Sequence, residues 1–235
     1  MKFAEFVLLF VMAFLPPIIY AIWIRNTEKY NREKWKPIFF CFLWGATIAI
    51  IASIILELIL GLPLAISTDD ANTFSLVIAV IIAPFAEELT KPIALRIKTV
   101  KKELDELEDG LIYGAVAGLG FSATENLLYG WSFLSESLLF FFIFMTIRSF
   151  SGCLLHASAT ALTGYGYGKA IMKKTSFLYI IPFFIVAIFI HGFYNFLLSF
   201  NLIGLATGLF TALIFVYIAI YFVRKKIKIL DRINS

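Results

Sequence analysis

Charge is scarce in this sequence: Asp, Glu, Lys and Arg together make up 15% of its 235 residues, against about 25% in soluble domains. So polar a deficit excludes an ordinary water-soluble domain. Hydrophobic residues reach 61%, and several apolar runs approach the ~20 residues that cross a hydrocarbon layer. Cysteine is almost as scarce. Cys41 and Cys153 both fall inside apolar runs and define neither a disulfide framework nor a metal motif; a thiol there acts as a small hydrophobe. The first run, apolar from Phe6 through Ile24 with Pro16 and Pro17 inside it, lacks the short core and small-residue cleavage site of a signal peptide, and predicts an uncleaved first helix. There is no HExxH, no Ser, His and Asp set, no intramembrane Gly-Asp dyad, no repeat and no low-complexity tract.

What the sequence does have is seven apolar segments, at 3–24, 37–60, 73–95, 109–131, 137–168, 177–200 and 203–223. They predict an all-α fold, a polytopic integral membrane helical bundle of about seven transmembrane helices. Residues 1–235 form one transmembrane domain, with 1–60 as accessory N-terminal helices, the functional motifs in 84–195 and a basic tail at 224–235. Basic residues gather in 25–36, 96–108, 169–176 and the tail, while the connections 61–72, 132–136 and 201–202 have none. The positive-inside rule then predicts a multi-pass protein of the cell membrane with its N-terminus outside and its C-terminus in the cytoplasm. Seventeen of the twenty basic residues obey this layout; Lys2, Lys91 and Arg148 do not. This distribution accounts for the net charge of +4 and leaves no case for a nucleic-acid partner; the surroundings are the lipid bilayer. The mixed-sign stretch KKELDELED at 101–109 reads as a solvated face at the membrane surface.

A charge at the centre of a membrane helix costs ~2.5–3.5 kcal/mol on insertion scales, so such residues usually face a partner or a cavity. Here they are concentrated. APFAEELTKP carries Glu87, Glu88 and Lys91; FSATENLLYG carries Glu125 and Asn126; RSFSGCLLHASAT carries Arg148 and His156; HGFYN carries His191 and Asn195. Lys91 stands at i+4 from Glu87 and i+3 from Glu88, so its ammonium reaches either carboxylate. Pro84 and Pro92 bracket the motif and can free carbonyls or bend the helix around water. Gly110, Gly114 and Gly118 recur every four residues, a packing stripe that turns Glu125 toward the bundle interior. Arg148, Gly152, His156 and Thr160 also recur every four residues and form one polar seam. His191 and Asn195, one turn apart, can address one small group together. The pattern admits a bland reading, an ion pair that staples helices with Glu125 as structural partner of Arg148, beside a catalytic one.

EELTK at 87–91, FSATEN at 121–126, His156 followed by small residues and Gly164, and HGFYN at 191–195 resemble, in order and spacing, the motifs of the PrsW proteases. These are membrane-embedded peptidases that cleave anti-sigma factors and related membrane substrates. The PrsW group is related to the CAAX prenyl proteases and the Abi proteins, whose pattern is a Glu-Glu motif with a downstream Arg, then FxxxH, then HxxxN. This chain departs from that pattern: Lys91 stands where an Arg is expected, and Glu125 where the relatives have His. The resemblance implies an intramembrane endopeptidase, with Glu87 and Glu88 as the acidic pair and Glu87 as general base. It also implies His191 and Asn195 at the oxyanion, with Lys91, Glu125, Asn126 and Arg148 in support. His156 is then the imidazole that holds the water opposite Glu87.

Peptide hydrolysis needs a polarised water, a base and donors for the oxyanion, and carboxylate, imidazole and amide supply all three. A glutamate mechanism with no cofactor takes the fewest assumptions. A divalent metal such as zinc is the variant, with Glu87, Glu125, His156 and His191 as its ligands. The expected partner is a membrane-anchored protein or peptide substrate. The alternative class is a proton- or cation-coupled transporter or channel using the same Glu and His residues, although no pair of interrupted helices repeats in two halves.

Overall fold

A computed structural model of the protein describes residues 3–199 and 204–233. Lys2, the 201–202 connection and the adjoining ends of the last two expected spans lie outside the described residues. Among those described there is helix and no strand. The helices are α1 (Phe3–Arg25), α2 (Trp35–Ser67), α3 (Ala71–Arg96), the short α4 (Lys98–Lys101), α5 (Leu107–Glu136), α6 (Leu138–Phe150), α7 (Gly152–Met172), α8 (Ile181–Ser199) and α9 (Leu205–Ile233).

Among the described residues, six segments are long and apolar enough to cross a membrane: α1, α2, α3, α6 with α7, α8 and α9. The seventh expected span, α5, is not among them, and its position explains why. From Glu108 through Ala123 every residue of α5 is buried, packed by α7, α1, α2, α6 and α9. A helix shielded by its neighbours has no need of a lipid-facing apolar surface, so small residues replace large ones. At Gly118 an added Cβ would stand 2.2 Å from the His156 carbonyl oxygen, and at Gly45 1.9 Å from that of Ala117. The backbones of α7 and α2 thus touch α5 directly, and the first of these contacts brings Glu125 under His156.

Two expectations change in detail. The segment 137–168 is bent at Ser151, where φ −119° departs from the helical value, although hydrogen bonds from the Ser151 amide to Ile147 O and from the Leu155 amide to Ser151 O carry the chain through. The third span contains a π-helical turn at Ile78–Ile82 and a 3₁₀ turn at Lys91–Arg96. Pro84 follows the π-helical turn and Pro92 lies within the 3₁₀ turn, where the missing amide hydrogens interrupt the regular helix.

The four basic segments meet at one end of the bundle. Lys34 pairs with Glu103 at 2.6 Å, Asp231 accepts from the amides of Lys29 and Tyr30, Arg224 donates to Thr27, and Arg96 lies over the Phe177 ring. The solvated face expected over 101–109 holds only in part: Lys101, Lys102 and Asp105 are exposed, but Glu108 and Asp109 are buried, because Asp109 folds back to cap α5.

Candidate active site

The centre is built where α3, α5, α7 and α8 approach. The 87–91 turn of α3 puts Glu87, Glu88 and Lys91 on one side, as the i, i+3 and i+4 spacings dictate. Lys91 Nζ lies 2.7 Å from Glu87 Oε2, 2.9 Å from Glu88 Oε1 and 2.9 Å from His156 Nδ1. An ammonium has three protons and no acceptor, so all three are engaged and Nδ1 of His156 is the acceptor. The other imidazole nitrogen, Nε2, must then carry the proton and donate it to Glu125 Oε2 at 2.7 Å. Lys91 is fully buried, with its charge over the Phe121 ring at 4.3 Å.

The second imidazole comes from α8. Gly192 lets this helix close on the π-helical turn of α3, since a Cβ there would stand 2.3 Å from Val80 O. His191 Nδ1 then lies 3.0 Å from Glu88 Oε1; a carboxylate only accepts, so Nδ1 carries a proton, and Nε2 lies 3.8 Å from Glu87 Oε2. Asn195, one turn on, donates through Nδ2 to Ala79 O at 2.8 Å. That carbonyl belongs to the irregular turn preceding Pro84, the kind of group the proline was expected to leave without an in-helix partner.

Arg148 and Asn126 form the layer behind His156. The guanidinium donates through Nη2 to Glu125 Oε2 and through Nε to Asn126 Oδ1, each at 2.6 Å, and Asn126 reaches Cys153 Sγ at 3.6 Å. Glu88 is held by three donors: its Oε1 takes Lys91 and His191, and its Oε2 takes the Thr160 hydroxyl at 2.9 Å. Glu87 differs, because it borders a cavity of about 630 Å³ shared with Glu57, Glu125, Arg148 and Asn195.

All nine residues singled out in the sequence therefore converge, Glu87 and Glu125 included, both of which meet His156. The metal-capable group is different from the one expected. Glu87, Glu88, His156 and His191 each offer a ligand atom within 4.8 Å of the others, so Glu88 takes the place assigned to Glu125, which binds the far nitrogen of His156 instead. The donor set suits zinc. Two imidazoles have one nitrogen fixed by a carboxylate, the usual way a metal-binding histidine is oriented, and the 3.6 and 3.8 Å from His156 Nδ1 and His191 Nε2 to Glu87 Oε2 are close to the ~3.4 Å between ligands of a tetrahedral zinc with ~2.1 Å bonds.

Glu57 was not singled out in the sequence. It stands in the middle of ILELILG, a carboxylate inside an apolar run, and the same cost argument that flagged Glu87 applies to it.

The family model described as PrsW family intramembrane metalloprotease matches residues 33–223. Among curated relatives, a Protease PrsW of Clostridioides difficile is 30% identical over 122 residues, 52% of this chain and 50% of that protein. A Protease PrsW of Geobacillus kaustophilus is 33% identical over 98 residues, 41% of this chain and 40% of that protein. The chain thus spans about half the length of the curated relatives it matches, or less. No solved structure matches it. With the family model covering most of the sequence, and the centre lying wholly within the matched region, the chain belongs to the PrsW family.

Proposed function

We propose that the protein is an intramembrane endopeptidase that hydrolyses peptide bonds of membrane-anchored, anti-sigma-factor-like substrates at the centre formed by Glu87, Glu88, His156 and His191. The observation that carries this reading is the meeting of four ligating side chains from three helices, one of which, Glu87, lines a cavity. Apart from Glu87, which lies in the half of α3 nearer Arg96, the cavity lining comes from the halves of α2, α3, α5 and α8 remote from the basic connections and from Arg148 of α6. On the positive-inside rule, with the N-terminus outside and the C-terminus cytoplasmic, a substrate enters from the outer half.

Glu87 is the general base in this reading. It engages Lys91 and both imidazoles through Oε2, which leaves Oε1 to take a proton from water. The water oxygen attacks the scissile carbonyl carbon, the proton passes from Glu87 to the leaving nitrogen, and the C–N bond breaks. Asn195 has one amide hydrogen on Ala79 O and a second for the oxyanion. Glu88 and Glu125 fix the two imidazoles, and Arg148 fixes Glu125.

Glu87, Glu88, His156 and His191 would hold a divalent metal such as zinc. Such an ion supplies Lewis acidity and lowers the pKa of a bound water. A second reading, hydrolysis by the glutamate without metal, is favoured by one observation: the Lys91 ammonium already places a cation against Glu87, Glu88 and His156.

The test is cleavage of a tagged single-span substrate, co-expressed and then with purified enzyme. Glu87→Gln is expected to lower the rate by roughly 10²–10⁴-fold, and His156→Ala and His191→Ala to abolish cleavage. Intact processing by all three variants removes this centre from the mechanism. Chelation separates the two readings: activity lost and restored by zinc supports the metal, and unchanged activity supports the glutamate alone.

A further inference from the structure

At the end of the bundle where the basic segments meet, five carboxylates are buried. Glu28 and Glu108 are 0% exposed, Asp109 1%, Asp231 3% and Glu33 6%. Glu28, Glu33 and Asp109 offer oxygens within 4.8 Å of one another, and so do Glu28, Glu108 and Asp231. Glu28 belongs to both groups.

Hydrogen bonds hold five of these oxygens in place. Asp109 Oδ2 accepts from the amides of Asp105 and Glu106 at 2.8 and 2.7 Å. Asp231 accepts from those of Lys29 and Tyr30 at 3.0 and 3.1 Å. Glu33 accepts from the Tyr113 hydroxyl, and Glu28 Oε2 from the Glu33 amide at 2.8 Å. One atom is different: Glu28 Oε1 is buried and receives no hydrogen bond. A buried acceptor without a donor is costly, and this one stands where the two groups join.

Several neighbouring cations are turned to other partners. Lys34 pairs with Glu103, Arg25 and Arg32 donate to the carbonyl oxygens of Glu33 and Glu28, and Arg224 donates to Thr27 and lies over Trp23.

The geometry points to a second cation site, separate from the intramembrane centre: Glu28, with Glu33 and Asp109 and with Glu108 and Asp231, takes a hard divalent cation of the Ca²⁺ or Mg²⁺ class. The donors are all carboxylate oxygens, which suit such ions, whereas the two imidazoles of the intramembrane centre suit zinc. The site joins three parts of the chain, the 26–34 connection, the first turn of α5 and the last turns of α9. Burial first, then the charge of Asp109, pushes Glu28 up to about 8 against the Glu33 amide hydrogen bond, and Glu33 up to about 10. A cation entering a set of carboxylates competes with protons for the same oxygens. None of this depends on the peptidase reading.

The experiment is Ca²⁺ titration of the purified full chain in detergent after chelator treatment, followed by calorimetry, proton release and unfolding temperature. Saturable binding is expected at or below the millimolar range, ~10⁻³ M, with proton release and a higher unfolding temperature. Glu28→Gln should weaken binding by about tenfold or more, while its metal-free unfolding temperature equals or exceeds that of wild type because a buried ionisable group is gone. If Glu28→Gln cannot be purified, Glu33→Gln reports the same loss. Glu87→Gln should leave the Ca²⁺ response unaltered. No saturable Ca²⁺ binding, a response retained in both cluster variants, or one abolished by Glu87→Gln overturns the proposal.

Discussion

The ammonium of Lys91 lies 2.9 Å from Nδ1 of His156, so a cation already occupies the side of the imidazole that faces the two glutamates. That single contact sets the tautomer of His156, directs its other nitrogen to Glu125, and makes Lys91 a competitor of any metal at the centre. Replacing Lys91 by Met leaves two buried carboxylates without their shared counter-ion. The expected cost is about 3–5 kcal/mol, read as a lower denaturation midpoint in detergent. Added zinc should recover part of that loss if the quartet binds metal. A Lys91→Met protein as stable as wild type in the absence of metal would show that the lysine is not the counter-ion.

Arg148 makes no hydrogen bond to His156 itself, yet its guanidinium holds the carboxylate that holds the imidazole. Arg148→Lys keeps the charge but loses the fork that spans Glu125 and Asn126. Cleavage of the tagged substrate should fall about 10–100-fold, the usual effect of disturbing an orienting partner. Undiminished cleavage would remove Arg148 from the positioning chain.

The closest backbone approach behind the site is testable with one methyl group. Gly118→Ala puts a Cβ 2.2 Å from His156 O, so α5 and α7 must separate, at an expected cost of ~1–3 kcal/mol. Glu125 should lose its hold on His156, and cleavage should fall with stability. Gly152→Ala is the control: its Cβ would meet nothing closer than 3.6 Å, at Arg148, and Gly to Ala inside a helix gains up to about 1 kcal/mol. Equal stability of the two variants would contradict the packing argument.

Glu57 faces the same cavity as Glu87 from the opposite helix, α2, and takes no part in the hydrogen bonds of the centre. It is placed to meet the substrate. Glu57→Gln should therefore change preference more than rate, lowering kcat/KM for substrates with Lys or Arg near the cleaved bond and leaving neutral ones almost unchanged. A uniform loss over both substrate sets would instead give Glu57 a structural role.

Much of this molecule was legible before any coordinates. Hydropathy located the apolar helices, because a side chain facing lipid must be apolar wherever it stands. The cost of intramembrane charge picked out Glu87, Glu88, Lys91, Glu125, Arg148 and both histidines, because such side chains need a buried partner or a cavity rather than lipid. The resemblance of four short motifs pointed to the family. The reading stopped where the answer depended on helices that are distant in the chain. Position along a helix says nothing of which helix lies opposite, so Glu88 rather than Glu125 entering the metal-capable quartet was beyond reach. So was the burial of Glu108 and Asp109, since a mixed-sign stretch looks the same whether it faces water or closes over another loop.

Composition and periodicity by themselves determined that the chain is a membrane bundle and which residues cannot face lipid, because transfer free energy is a property of each side chain and its immediate segment. Only the tertiary structure decided which partner each histidine nitrogen meets, which of Glu87 and Glu88 borders the cavity, and that Glu28 is left with an unpartnered oxygen among acids from three parts of the chain. Those outcomes depend on distances of a few ångströms between separate helices and loops, which the close backbone contacts at Gly118 and Gly192 and the capping of α5 by Asp109 help to set.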